Sequence, residues 1–312
     1  MCACLLFIQK ISLYHYFALL SSLSSSLHYS NHSSHVNMDT KRGQNSLDRA
    51  GWSVAISGDG NVVAFGAPKG GSNRGGAVFS YQFKDGLGWK PNGQVIGGLS
   101  EDNVGFSVSL SYDGSLIAVG SPKGSSTFGP ANAGKNAVYE MRKPIWAVFT
   151  SPIHGETTDD SDGTAVAFSQ DGTILVTGAR GRDGNKGYCR VYERNKQSSQ
   201  FKLIHTIAGQ HAEEQMGSSA AVSSDGNVIA CGGTNGSWKG GTKSGVVRLW
   251  NSVALSESII WPREKNDSYS EGSYFGSSVA LSSDGRFLIV GAPAWSDDIV
   301  GSLSGAVQVF GV

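Results

Sequence analysis

Gly276-Ser-Ser-Val-Ala-Leu-Ser-Ser-Asp-Gly-Arg-Phe-Leu-Ile-Val-Gly-Ala-Pro293 reads as two short strands folded about a tight turn. Val279 and Leu281 alternate with Ala280 and Ser282, the two-residue period of a strand with unlike faces. Asp284-Gly285 supplies residues that tolerate positive φ, as a hairpin turn requires. Phe287 to Val290 then returns as an apolar run. It stops at Gly291-Ala292-Pro293, because proline has no N–H for the ladder. Beyond a glycine-rich loop, Gly305-Ala-Val-Gln-Val-Phe310 alternates again and reads as a third strand.

The same stretch occurs five times without gaps, at residues 51–68, 105–122, 163–180, 217–234 and 276–293. Its turn aspartates are Asp59, Asp113, Asp171, Asp225 and Asp284, so the unit is 54 to 59 residues long. The third strand recurs at 76–81, 134–139, 187–192 and 245–250. It always ends in an aromatic: Tyr81, Tyr139, Tyr192, Trp250, Phe310. A ring at one place in every copy predicts packing between neighbouring sheets. A weaker fourth strand is expected at 89–96, 145–152 and 201–207, and less clearly near 258–261.

A four-stranded sheet with two apolar faces cannot bury both alone, whereas a ring of such sheets does. The expected fold is therefore all-β, a β-propeller of five four-stranded blades over residues 50–312. An incomplete six- or seven-bladed ring is the alternative. The fifth copy needs a fourth strand from elsewhere, and residues 35–47 are the candidate.

Glycine is abundant, 43 of 312 residues, without a three-residue period, which fits many tight turns. The 25 basic and 25 acidic residues cancel, so charge gives no case for a nucleic-acid partner. Residues 1–30 resemble a signal peptide or signal anchor: apolar 5–8 and 11–20 around Lys10, then a serine run at 21–26. Residues 31–49 are a linker that could hold the ring-closing strand. Secretion or cell-surface display is expected, with a cytoplasmic location the alternative. Membrane contact would come only through the N-terminal segment. Asn31, Asn235 and Asn266 head N-x-S sequons. Four cysteines are too few for a disulfide framework, and Cys189 and Cys231 read as small buried core residues.

The pattern Gly-x-Ser-Val-Ala-x-Ser-x-Asp-Gly, an apolar run, Gly-Ala-Pro and then Gly-x-Val-x-Val-Tyr resembles FG-GAP repeats. These form the propeller heads of integrin α subunits and of related secreted or surface proteins. Phe275-Gly276 and Gly291-Ala292-Pro293 carry the name-giving residues. The resemblance implies a non-enzymatic binding module that recognises protein or glycan through the loop face. It does not bring calcium with it. The usual DxDxDGxxD loop is shortened here to Ser-x-Asp-Gly, one carboxylate per copy, and calcium needs six to eight oxygens. The five aspartates therefore read as turn residues, and no metal or cofactor is expected. WD repeats are the rival resemblance, through 166–179 and 245–251, and would make an intracellular interaction scaffold. The longer period and the missing Trp-Asp signature count against them.

No HExxH, GxSxG, phosphate loop or zinc spacing occurs. An enzyme would need an unrecognised loop-borne site, and an enzyme is not expected. The loops joining strands two and three carry the aromatics Phe128, Trp238 and Trp295, candidates for sugar or protein contact. The loops leading into each copy are acidic: Glu101, Asp102, Asp159, Asp160, Glu213 and Glu214. They either form a negative binding face or cap loop ends.

Overall fold

A computed structural model describes residues 41–312 apart from 126–128, 196, 238–242, 263–271 and 297–302. The leader, and residues 35–40 of the candidate closing strand, lie outside the described residues.

Five antiparallel sheets follow one another along the chain. The first holds β1 (Ser53–Ile56), β2 (Val62–Ala67), β3 (Ala77–Lys84), β4 (Gly88–Pro91) and β5 (Ile96–Gly97). The second holds β6 (Ser107–Leu110), β7 (Leu116–Ser121), β8 (Lys135–Arg142), β9 (Ile145–Val148) and β10 (Ile153–His154). The third holds β11 (Asp162–Phe168), β12 (Ile174–Ala179), β13 (Tyr188–Arg194) and β14 (Phe201–Ala208). The fourth holds β15 (Met216–Val222), β16 (Val228–Gly233), β17 (Val246–Asn251) and β18 (Ser256–Ile260). The fifth holds β19 (Ser278–Leu281), β20 (Phe287–Ala292) and β21 (Ala306–Gly311). The first strands β1, β6, β11, β15 and β19 pack in succession around a common axis, as in a propeller.

One expectation needs correction. The fourth strands of the first two sheets are each split in two. Pro91 ends β4 and Pro152 immediately precedes β10, and neither can donate to the ladder. In addition, Ser80 and Asn92 exchange hydrogen bonds across the first break. Residues 41–47 form no strand, and the fifth sheet has three strands among the described residues.

Local chemistry builds every first hairpin alike. In the first copy, Ser57 Oγ donates to Asp59 Oδ1 and accepts from the Val62 amide, while Asp59 Oδ1 also accepts from the Asn61 amide. Ser111–Asp113, Ser169–Asp171, Ser223–Asp225 and Ser282–Asp284 repeat this arrangement. The side chains thus satisfy amides that the turn leaves without a ladder partner.

Neighbouring sheets are sealed in a fixed way. The residue before each repeat glycine donates its amide across the junction: Val104 to Gly75 O (2.9 Å), Asp162 to Ala133 O (3.0 Å), Met216 to Lys186 O (2.9 Å), Phe275 to Ser244 O (3.1 Å). Gly66, Gly120, Gly178 and Gly232 lie so close to the next repeat glycine that a Cβ would overlap its carbonyl oxygen. Ser53, Ser107 and Ser219 donate to that same carbonyl, at 2.7–2.8 Å. Apolar side chains fill the space behind. One core cluster lies between the first and second sheets, one between the second and third, one between the third and fourth, and one between the fourth and fifth. The terminal aromatics Tyr139, Tyr192, Trp250 and Phe310 each join the cluster shared with the preceding sheet.

Among the described residues the fifth and first sheets do not repeat this seal. Among the described residues nothing accepts from the Ala50 amide or from Ser278 Oγ across the sheets, and a Cβ on Gly291 would meet only Ser278 among its near neighbours. Val307 and Val309 are 65% and 66% exposed, whereas their counterparts Val247 and Leu249 are 0% and 5% exposed. Phe287 is exposed too, while its counterparts Val62, Leu116, Ile174 and Val228 are buried. On the far side, Tyr81 packs with Phe65 and Phe79 of its own sheet, and Lys41 lies 4.7 Å over its ring.

Cys189 of β13 and Cys231 of β16 are bonded as a disulfide, with Cα atoms 6.1 Å apart. Both are buried, as the sequence suggests, but they are a covalent link between the third and fourth sheets rather than two independent core residues. Their separation of 42 positions hides that proximity in the sequence.

Candidate functional site

Chain direction places the loops between second and third strands, and the loops leading into each sheet, on one face. The first hairpins lie on the other.

The loops leading into the sheets share one conformation. The residue four before the repeat glycine has positive φ in every copy: Leu47, Glu101, Asp159, Glu213 and Gly272. So does the residue two before it: Arg49, Asn103, Ser161, Gln215 and Tyr274. Between them, in four copies, sits an acidic side chain turned inward. Asp48 accepts from the amides of Gln44 and Asn45, and Asp102 from that of Leu99. Asp160 accepts from the amides of Glu156 and Thr157, and Glu214 from those of Gln210 and His211. These carboxylates satisfy loop amides that no strand reaches.

Asp102, Asp160 and Glu214 are accordingly buried, and each has a basic partner: Lys135, Arg182 and Arg248. Burial works to raise the Asp160 carboxyl, yet the bonds from Thr157, Glu156 and Arg182 hold it below its ordinary range. Glu101, Asp159 and Glu213 point outward and contact Lys69, Asn132 and Asn185. The acidic residues are therefore divided between caps and rim rather than gathered into one charged surface.

Asp162 stands apart. It occupies the position before the third repeat glycine and is fully buried between the second and third sheets. Burial pushes its carboxyl above the ordinary value, against bonds from Asn136 and Tyr188.

The five sheets leave a cavity of about 270 Å³ at the axis, opening on the loop face. Its rim is the residue that follows each repeat glycine: Trp52, Phe106, Thr164, Ser218 and Ser277. Trp52 and Phe106 lie together, centroids 5.4 Å apart, and form an aromatic wall. Hydroxyls form the opposite wall. Arg180 and Thr234 complete the rim from the ends of the second strands. Beneath lies a smaller cavity of about 80 Å³, bounded by residues such as Val54, Val108 and Val279.

Of the expected loop aromatics, Trp295 packs against the core between the fourth and fifth sheets. Phe128 and Trp238 lie outside the described residues. The rim aromatics were missed in the sequence, though a signal exists: the residue after the repeat glycine varies while its neighbours hold. The turn aspartates lie on the opposite face, in the hairpins. Among the described residues no group of three His, Cys, Asp or Glu side chains could hold a metal ion, and no helix is long and apolar enough to cross a membrane.

An all-β array of sheets around an axial cavity defines a propeller-type protein. Residues 267–310, the last of the five copies, match the FG-GAP repeat. FG-GAP repeats are found in integrin-like binding modules, consistent with a protein-binding role. No curated protein matches the chain.

Proposed function

We propose that this chain is a non-enzymatic binding module, secreted or displayed at the cell surface, that recognises protein or glycan through the loop face. The observation that carries this reading is the axial cavity on that face. All five sheets line it, and one repeat position at its rim carries four residue types, in Trp52, Phe106, Thr164, Ser218 and Ser277. A constant scaffold with variable rim residues is how repeat folds present a binding surface. The FG-GAP match supports the same class. The Cys189–Cys231 disulfide supports an oxidising compartment, where such bonds persist.

Two experiments test this. Purified protein is screened against arrays of glycans and extracellular proteins, where saturable binding is expected. Alkylation before reduction, on protein from its native source, should leave Cys189 and Cys231 unlabelled. Free thiols at both positions would contradict the compartment.

A further inference from the structure

The geometry points to a ligand for the axial cavity: one acidic sugar ring, a hexuronic acid, with its carboxylate on Arg180. This inference rests on the loop-face reading above and names the ligand class.

Size comes first. At about 270 Å³ the cavity falls just below the range of roughly 300–1,000 Å³ typical of drug-sized ligands. It suits a single ring, and the space below is only about 80 Å³.

The polar wall has a fixed polarity. Thr164 Oγ1 lies 2.8 Å from Ser161 O, Ser218 Oγ 2.8 Å from Gln215 O, and Ser277 Oγ 2.6 Å from Tyr274 O. A carbonyl can only accept, so each hydroxyl spends its proton on the backbone and offers lone pairs to a ligand. Three acceptors converging on one cavity suit a ligand bearing several hydroxyl donors. The opposite wall is Phe106 with Trp52, whose ring carries the Arg49 guanidinium at 5.5 Å, and the C–H face of a pyranose can pack against that wall.

Arg180 sets the charge. It stands where Pro68, Pro122 and Pro293 end their second strands. It is exposed and makes no ion pair with a described residue, unlike the nearby Arg182 and Arg190, which hold Glu156. One guanidinium matches one carboxylate in charge and in its planar fork, whereas a phosphate monoester would bring close to two charges.

The test is calorimetric titration of the full chain with sodium D-glucuronate, D-glucose and sodium acetate, for the wild type and Arg180→Ala. Glucuronate should bind about tenfold or more tightly than glucose, the worth of one charge-assisted contact. Acetate alone should give no saturable heat. Arg180→Ala should reduce glucuronate to the affinity of glucose and leave glucose unchanged. Trp52→Ala should weaken both sugars.

Glucuronate no tighter than glucose, or unaffected by Arg180→Ala, overturns the inference. Array ligands retained by Arg180→Ala, with no glucuronate heat, overturn it while the loop-face reading stands. Glucuronate binding lost in Arg180→Ala upholds the site even if the arrays are silent, and silent arrays then count against the wider reading alone.

Discussion

The junction between the third and fourth sheets and the seam between the fifth and first are cut from the same repeat, yet among the described residues only one is sealed. At the junction the Met216 amide reaches Lys186 O, Gly178 lies against Gly217, and Cys189 is bonded to Cys231. Farther out, His205 stacks on Trp250 at 4.3 Å and contacts Glu257 at 2.7 Å. At the seam the equivalent glycine and amide are present, with Ser278 where the junction has Ala165, but nothing described answers them. Val307 and Val309 face solvent in consequence. A repeat therefore specifies half of each interface, and the neighbour supplies the rest. Stability in such an array is a sum of units and of the contacts between adjacent units.

The largest contrast should come from the strand glycines. Gly178→Ala drives a methyl into backbone that cannot yield, and a cost above about 4 kcal/mol is expected. Gly291→Ala meets chiefly the rotatable Ser278 Oγ and should cost under about 1 kcal/mol, because the side chain can turn away. Denaturant midpoints of the two variants compare them directly. Equal losses would mean that the seam is as tight as the junction.

The disulfide comes next. Replacing Cys189 and Cys231 together by alanine should lower stability by about 2–4 kcal/mol. Reductant should reproduce the loss in the wild type and leave the double variant unmoved in thermal unfolding.

A smaller difference belongs to the serines. Ser219→Ala removes a buried bond to Gly276 O and should cost about 1 kcal/mol. Ser278→Ala removes no bond across a junction and should cost close to nothing. Nature supplies a control, since Ala165 fills this position at the third-to-fourth junction.

The smallest effect is in pH. The hairpin carboxyls of Asp113 and Asp171 work against burial, but bonds from neighbouring amides and hydroxyls hold them below the ordinary 3.8. Their contribution is present above that value and lost as pH falls through the folded-state pKa. Asp162 runs the other way. Its raised folded-state pKa favours the fold at low pH, and that advantage is lost as pH rises from 3.8 past the folded value. Asp162→Asn should therefore gain in melting temperature relative to wild type at pH 7 compared with pH 3. A larger relative gain at pH 3 would reverse the sign.

What the sequence discloses divides along the same line. The hairpin is legible because Ser57, Asp59 and Val62 act on one another within a few residues. The terminal aromatics are legible because they recur. The disulfide is not, because Cys189 and Cys231 meet only when two sheets are docked. The inward turn of Asp102, Asp160 and Glu214 is half legible: their spacing from the repeat glycine is visible, but the amides they satisfy depend on two positive-φ residues that composition does not announce. Splitting of the fourth strands was signalled by Pro91 and Pro152. The axial rim is the hardest case, since Trp52, Thr164 and Arg180 converge only through the ring.

Amide hydrogen exchange followed residue by residue tests the seam most directly. Val104, Asp162, Met216 and Phe275 each donate across a junction and should exchange slowly, whereas the Ala50 amide, with no such bond to a described residue, should exchange far faster. Protection of Ala50 equal to that of the other four would mean that the fifth sheet seals onto the first, and the open seam would be wrong.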